Sequence, residues 1–281
     1  MPVAVANDAV RIASLSPAAT VMLRDMGLDA LLVGRHGWDT TADESLPVVG
    51  DQTGIDYERL LGVRPTHVVI EWGARDVPER LARLADNRGM SIVPFETLRL
   101  ADIVTSAQRL RDAFGAAGGG EQTAAVVDAV SALNTPGAPA PEVGRVLLIA
   151  GVSPTVDCLG PGSAHQEILT AAGFLPALAE GGPWMTLSLE DAIAIDPDTI
   201  VLVMPSASGD TESLLGPLAR MGIAAVSAAR IVLIDDPEAL IPSSSLVGFR
   251  QELEDRLLAL PPLVSPREQR QEPRDGPDRP G

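Results

Sequence analysis

The sequence has no lysine. Its 21 basic residues are all arginines, set against 38 acidic residues, and the formal net charge is −17. Phosphate backbones and anionic membranes repel such a chain unless basic residues cluster, so neither nucleic acid nor a membrane surface is an expected partner. The lysine gap, beside abundant alanine, glycine and proline, reads as the composition of a GC-rich genome. A single cysteine, Cys158, excludes an intramolecular disulfide and any Cys-x-x-Cys motif, and reads as an inert packed thiol. No apolar run reaches the ~18 residues of a spanning helix, so no membrane insertion is expected. The opening MPVAVANDAVRIAS lacks a basic start, a long apolar stretch and a cleavage site, and offers no N-terminal cysteine for a lipid. Taken as the true start, Met1 implies a cytoplasmic protein. Also absent are His-Glu-x-x-His, a His/Asp/Glu cluster at metal spacing, a P-loop and a dinucleotide glycine fingerprint. The GPGSA segment lacks the last glycine of a nucleophile elbow, so Ser163 reads as a helix cap. No enzyme, no bound metal and no required cofactor are expected.

What is present is a duplicated unit. Tyr57–Ile70 (YERLLGVRPTHVVI) aligns without a gap on Leu189–Leu202 (LEDAIAIDPDTIVL), pairing Pro65 with Pro197 and Glu58 with Glu190. Each copy reads helix, proline turn, strand, because a proline ends the helix and the β-branched run follows. A second match pairs RIASLSP from Arg11 with RVLLIAGVSP from Arg145, each a short apolar strand running into Ser-Pro. Between the copies lies Gly120–Asn134, a helix with Val126, Val130 and Leu133 on one stripe and Glu121, Gln122, Asp128 and Ser131 on the wet side. At ~1.5 Å per residue it reaches roughly 22 Å, enough to bridge two lobes.

Strands alternating with helices predict two Rossmann-like α/β lobes with mostly parallel sheets joined by this one backbone helix. The expected division is an N-terminal lobe over 10–114, the connecting helix and linker over 115–143, a C-terminal lobe over 144–260 and a disordered tail over 261–281. Expected elements include a strand at Arg11–Leu15, a helix at Ala18–Met26, strands LLVG and PVVG, and helices at 78–87 and 101–114. In the second half come a strand at Val146–Ala150, a helix from Ser163 to Ala172, a helix near Glu212–Met221, strands around Ile223 and Ile231, and a last helix at Ser245–Leu260. In such sheets ligands bind beyond the carboxyl ends of the strands. Only eight aromatic side chains exist, three of them tryptophan, so their placement is informative. Trp38, Trp72 and Trp184 all fall in expected loops, where aromatic faces stack on flat apolar ligands. Glu71 ends its strand beside Trp72. His36 and His165 lie in or next to cleft loops as candidate ligand contacts, whereas His67 opens an apolar strand and reads as structural. Asp39 joins His36 and His165 as the residues an α/β enzyme would have to use.

The segments RIASLSPAATVMLRDMGL, LPVVGD, YERLLGVRPTHVVIEWG and GPWMTLSLEDAIAIDPDTIVLV, in this order, resemble the cobalamin and ferric-siderophore substrate-binding proteins of ABC importers, over roughly residues 10 to 260. The resemblance implies two α/β lobes on a helical backbone, a small-molecule metal chelate in the cleft, an importer permease as partner, a monomer, and a periplasmic or other extracytoplasmic location. In the cobalamin-binding members, aromatics at the positions of Trp38, Trp72 and Trp184 border the ligand, so a corrinoid is the first expectation and haem or a ferric siderophore the second. A cytosolic corrinoid carrier or sensor is the reading if Met1 is the start. The family meets permease arginines with one acidic residue on each lobe tip; Glu190 matches the second, and Glu79, one residue beyond the matching position, the first.

Overall fold

A computed structural model describes residues 9–73 and 76–263. Ile12–Leu15 (β1) is buried on both faces, as a strand between two helical layers must be. Ser16 ends it: its side chain accepts the Ala19 N–H and Pro17 takes the first helical position, so α1 (Pro17–Asp25) begins there. The first lobe continues through β2 (Leu32–His36), β3 (Val48–Asp51), β4 (Gly54–Ile55), α2 (Tyr57–Gly62), β5 (His67–Glu71), α3 (Glu79–Arg88), β6 (Ser91–Phe95) and α4 (Leu100–Phe114). Its strands form one sheet in the order β4-β3-β2-β1-β5-β6, parallel except at β4. After α5 (Gly120–Ala132) the second lobe comprises β7 (Arg145–Val152), β8 (Val156–Leu159), α6 (Ala164–Ala171), β9 (Leu175–Pro176), β10 (Trp184–Leu187), α7 (Leu189–Ile195), β11 (Thr199–Val203), α8 (Thr211–Leu215), α9 (Ala224–Ser227), β12 (Ile231–Ile234) and α10 (Leu246–Leu258). The order is β10-β8-β7-β11-β12 with β9 beside β7; β8 runs antiparallel to both its neighbours, β7 and β10, and the other pairs are parallel.

The duplication holds down to single hydrogen bonds. Ile12 pairs with His67 in the first sheet and Val146 with Thr199 in the second, the positions that the two sequence matches align. Arg64 and Asp196, also aligned, are both left-handed, at φ 46° and 43°, although neither is glycine. Such backbone costs ~1–3 kcal/mol per residue. It is held by an arginine at the start of each first strand: Arg11 donates to the Val63 and Arg64 carbonyls at 2.8 and 3.0 Å, and Arg145 to those of Ile195 and Asp196 at 2.9 and 2.5 Å. The backbone N–H groups of these arginines donate to Thr66 Oγ1 and Asp198 Oδ2, aligned in turn. Each clamp ends a helix and sets the register of the strand after it.

The connector begins against the first lobe, where Gln122 donates to the Asp25 carbonyl at 2.8 Å, and ends against the second, where Arg250 donates to that of Leu133 at 2.7 Å. It starts after Gly119 because a Cβ there would stand 2.3 Å from the Met26 carbonyl oxygen. Its buried stripe is Thr123, Val127, Val130 and Leu133; of the expected stripe Val130 and Leu133 are buried, and Val126 lies half-buried at its border with Val127 in its place. The faces of both sheets that turn toward α5 merge into one apolar core that includes this stripe, while the other faces keep separate clusters with α2 and α3 or with α7 to α9. A charged pair adds to the joint: Arg24 on α1 engages both carboxylate oxygens of Glu238, at 2.5 and 2.9 Å.

Other expectations fail for local reasons. Gly216, at φ 52°, and Pro217 break the helix expected over 212–221 into α8 and a 3-10 turn, and Ile223 precedes the short α9 instead of forming a strand. Trp184 lies on a strand, not in a loop, and Cys158 lies on the strand beside it. Cys158 is buried and free, and burial pushes its thiol up to about 12. At the expected disordered tail, Leu263 N–H donates to the Glu142 carbonyl and the Pro261 carbonyl accepts from Arg230, while 264–281 lie outside the described residues. Arg145→Ala should destabilise folding by ~1–3 kcal/mol, since two carbonyl bonds and one left-handed support are lost together. Urea unfolding measures this, and an unchanged midpoint would show the clamp to be dispensable.

Candidate functional site

Parallel strands bring their carboxyl ends to one edge, and in the first lobe that edge is hollow. Leu15 at the end of β1 and Pro17 beyond it, His36 of β2, Asp51 of β3, Ile55 of β4, and Glu71 to Gly73 at the end of β5 line a concavity of about 740 Å³. A second hollow of about 390 Å³ lies over the end of β6, lined by Glu71, Gly73, Glu96, Thr97, Leu98 and Asp102. Glu71 is common to both. Its carboxylate accepts from Ser16 Oγ at 2.6 Å and Thr97 Oγ1 at 2.5 Å, two hydroxyls from the neighbouring strand ends, so it is a fixed acceptor between the hollows.

His36 is 8% exposed, and its Nδ1 accepts the Trp38 N–H at 3.1 Å. A backbone amide only donates, so the neutral ring carries its proton on Nε2. Burial lowers the pKa of His36, against the opposing charges of Asp39, Asp51 and Glu71. A metal-bound histidine ordinarily donates its second N–H; here that nitrogen accepts, which arranges His36 as a hydrogen-bond donor through Nε2. Asp39 folds the following turn, its Oδ1 accepting from Thr41 N–H, Thr41 O–H and Ala42 N–H, while Oδ2 is buried without a partner. Trp38 is carried on this pinned turn and is 66% exposed. No three His, Cys, Asp or Glu among the described residues are placed to hold a metal ion.

Trp72 is half-buried against the first lobe's outer cluster. Trp184 opens edge strand β10, opposite Leu159, and is 55% exposed. Its strand is anchored by the Gly160 N–H donating to the Pro183 carbonyl at 3.0 Å, a close approach: a Cβ on Gly160 would lie 2.4 Å from the Gly182 carbonyl oxygen. The same turn leads into α6, whose first amide, that of Ala164, donates to the Leu98 carbonyl of the first lobe, while Leu100 N–H donates to Glu167. Trp184 therefore stands beside the contact between the lobes. Trp72, His36 and Glu71 share one hollow; Trp38 and Trp184 are not among the residues lining it.

His165 does not belong to a cleft surface. It is 4% exposed, its Nε2 bonds the Ala239 carbonyl at 2.8 Å and its ring meets Phe249 edge-on; burial lowers its pKa to about 4. An apolar face of α6 carried it inward, which the sequence pattern around GPGSAHQ does not reveal. His67 is structural as expected, bonded to Thr66 and edge-on to Phe114. Ser163 caps α6, accepting from Gln166 N–H. Glu190 is exposed in the first turn of α7, and Glu79 is exposed at the start of α3, within reach of Arg83. The repeat counterpart of Glu190 is Glu58 on α2 rather than Glu79. Sequence reasoning did not single out Asp51 and Thr97; Asp51 ends the PVVGD run, but nothing local marks Thr97.

No protein-family model matches the chain, and no curated protein matches it. Solved structures do. The periplasmic vitamin B12 binding protein BtuF of Vibrio cholerae superposes with a TM-score of 0.67 at 19% identity, over 88% of this chain and 96% of that one. The periplasmic heme binding protein HutB of Vibrio cholerae gives 0.67 at 18%, over 90% and 99%. The periplasmic heme-binding protein RhuT of a Roseiflexus species gives 0.63 at 22%, over 89% and 99%. The fold is thus that of bilobal periplasmic binding proteins, as the sequence resemblance implied.

All three histidines are held below their ordinary value by burial. A folded-state pKa below the unfolded one means the unfolded chain takes up the extra proton, so stability is full above pH ~6.5 and declines as pH falls toward 4. The melting temperature should drop over that window, and less steeply in His165→Gln, which keeps a donor for Ala239 but does not titrate.

Proposed function

We propose that this protein captures a metal-tetrapyrrole, a corrinoid in the first place, at the cleft between its lobes and presents it to an ABC importer permease outside the cytoplasm. It performs no chemistry on its ligand. The single observation that carries the choice of ligand is the charge of the hollows: their lining includes Asp51, Glu71, Glu96 and Asp102 and, among the described residues, no arginine. Haem carries two propionates and catecholate siderophores are anionic, so such a lining repels both. A corrinoid instead carries neutral amides, whose N–H₂ groups suit fixed carboxylates such as Glu71 and whose carbonyls suit the Nε2–H of His36. Trp38, Trp72 and Trp184 supply faces for a flat macrocycle. Neighbours that bind vitamin B12 and heme on the same fold support the ligand class. Haem is the competing reading.

Titration with cobalamin should quench the fluorescence of all three tryptophans nearly completely, and haem should bind more weakly. Trp72→Ala should cost ~2–4 kcal/mol of binding, roughly 30- to 1000-fold, by analogy with aromatic anchors at interfaces. A variant that binds cobalamin normally but melts far lower would make Trp72 a core residue and remove the ligand assignment.

For docking, carboxylates on opposite lobe tips would orient the protein by charge-assisted pairs with permease arginines. Glu190→Arg, combined with reversal of Glu79 or of Glu58, the repeat counterpart, should lower uptake and leave ligand binding unchanged. Normal uptake by both double variants would reduce these glutamates to solvated helix starts.

A further inference from the structure

On the edge of the first sheet opposite the ligand hollows lies a second concavity of about 640 Å³, at the amino ends of β1, β5 and β6. Its charged lining is Arg11, Arg64 and Arg88, with no carboxylate, in a chain of net charge −17. We infer that this pocket binds a small soluble polyphosphate, its phosphate oxygens held by the three guanidinium groups.

The bland explanation is that these arginines only quiet the carbonyl ends of α2 and α3, an effect worth ~0.3–1 kcal/mol each. The duplicated lobe supplies the control. In the second lobe the same backbone is built with Arg145 for Arg11, Asp196 for Arg64 and Asp198 for Thr66, at matching φ and with matching hydrogen bonds. There Arg145 is neutralised by Asp198 at 3.6 Å. The left-handed turn therefore does not require a cation at position 64, and the clamp does not require an unpaired one. In the first lobe, Thr66 leaves Arg11 without a counter-charge, and Arg64 and Arg88 enter no ion pair or side-chain hydrogen bond among the described residues.

The donors available are guanidinium forks and little else. Pro65 has no N–H, and the amides of Arg64, Thr66 and Met90 are spent on the carbonyls of Leu61, Arg11 and Ala85. Arg11 is fixed through Nε and Nη2, leaving Nη1 toward a ligand. Fork donors match phosphate oxygens two at a time, and three cations around one hollow suit more than one phosphate. Leu61, Pro65 and Met90 complete the wall with apolar surface for whatever bears the phosphates.

Isothermal titration of the full chain with inorganic pyrophosphate at low ionic strength should show saturable binding. Arg64→Asp, which installs the residue the second lobe already tolerates there, should weaken it by at least about tenfold, as loss of a charge-assisted pair plus added repulsion requires. Arg88→Gln, at an exposed helix end, tests the same site without touching the clamp and should also weaken binding. The inference fails if pyrophosphate does not bind saturably, or if both variants bind it as the parent does. It fails equally if the protein takes up phosphatidylglycerol vesicles while ignoring pyrophosphate, which would make the patch a membrane contact.

Discussion

Two guanidinium groups, one at the start of each lobe, tie a helix end to the first strand of its sheet. Arg11 and Arg145 each hold two carbonyls behind a left-handed, non-glycine residue that stands just before a proline. The strain of that residue, ~1–3 kcal/mol, is of the same size as two or three net hydrogen bonds at ~0.5–1.5 kcal/mol each, so the clamp is large enough to offset it. Its consequence is register. With Ile12 level with His67, the ends of β1 and β5 emerge together, and Ser16 can reach Glu71. A slip of one residue would send the inward side chains of a buried strand outward and separate that pair.

The lobes are joined by more than their connector. One apolar core runs from β1 and α4 through α5 to α6 and α10, and it is supplemented by the Arg24–Glu238 fork and by contacts of Leu98 and Leu100 with the start of α6. Opening the lobes widely would expose part of that core at ~25 cal/mol for each Å² uncovered. Ligand entry is therefore expected to use loop and side-chain adjustment more than rotation of whole lobes. The pinned turn after His36 keeps one buried oxygen, Asp39 Oδ2, without a partner.

Charge divides the first lobe by edge. Carboxylates gather at the carboxyl ends of the strands and arginines at the amino ends, about one strand length away. The helix dipoles favour the same division: α2 and α3 point their C-termini at the arginine edge, where cations are favoured, and α4 points its N-terminus, with Asp102 in its capping box, at the other. That accounts for some positive charge there. The helix N-termini likewise favour carboxylates such as Asp102 at the opposite edge, where the charge suits a neutral or cationic guest.

Much of this was legible in the chain. Helix, proline, strand, repeated once on either side of a glycine-bounded helix, determined two α/β lobes, because proline, β-branching and the period of apolar residues act locally. Ser163 was readable as a cap for the same reason. Local signals could not tell which face a residue within an element would present: Val126 and His165 were both misplaced by a fraction of a helical turn, since burial is settled by the partner surface. Trp184 was mistaken for a loop residue because its strand exists only by pairing with β8. The tertiary structure alone decided that Ser16, Glu71 and Thr97, up to 81 positions apart, form one hydrogen-bonded group. Only parallel pairing levels the ends of three strands, and no spacing in the sequence records it.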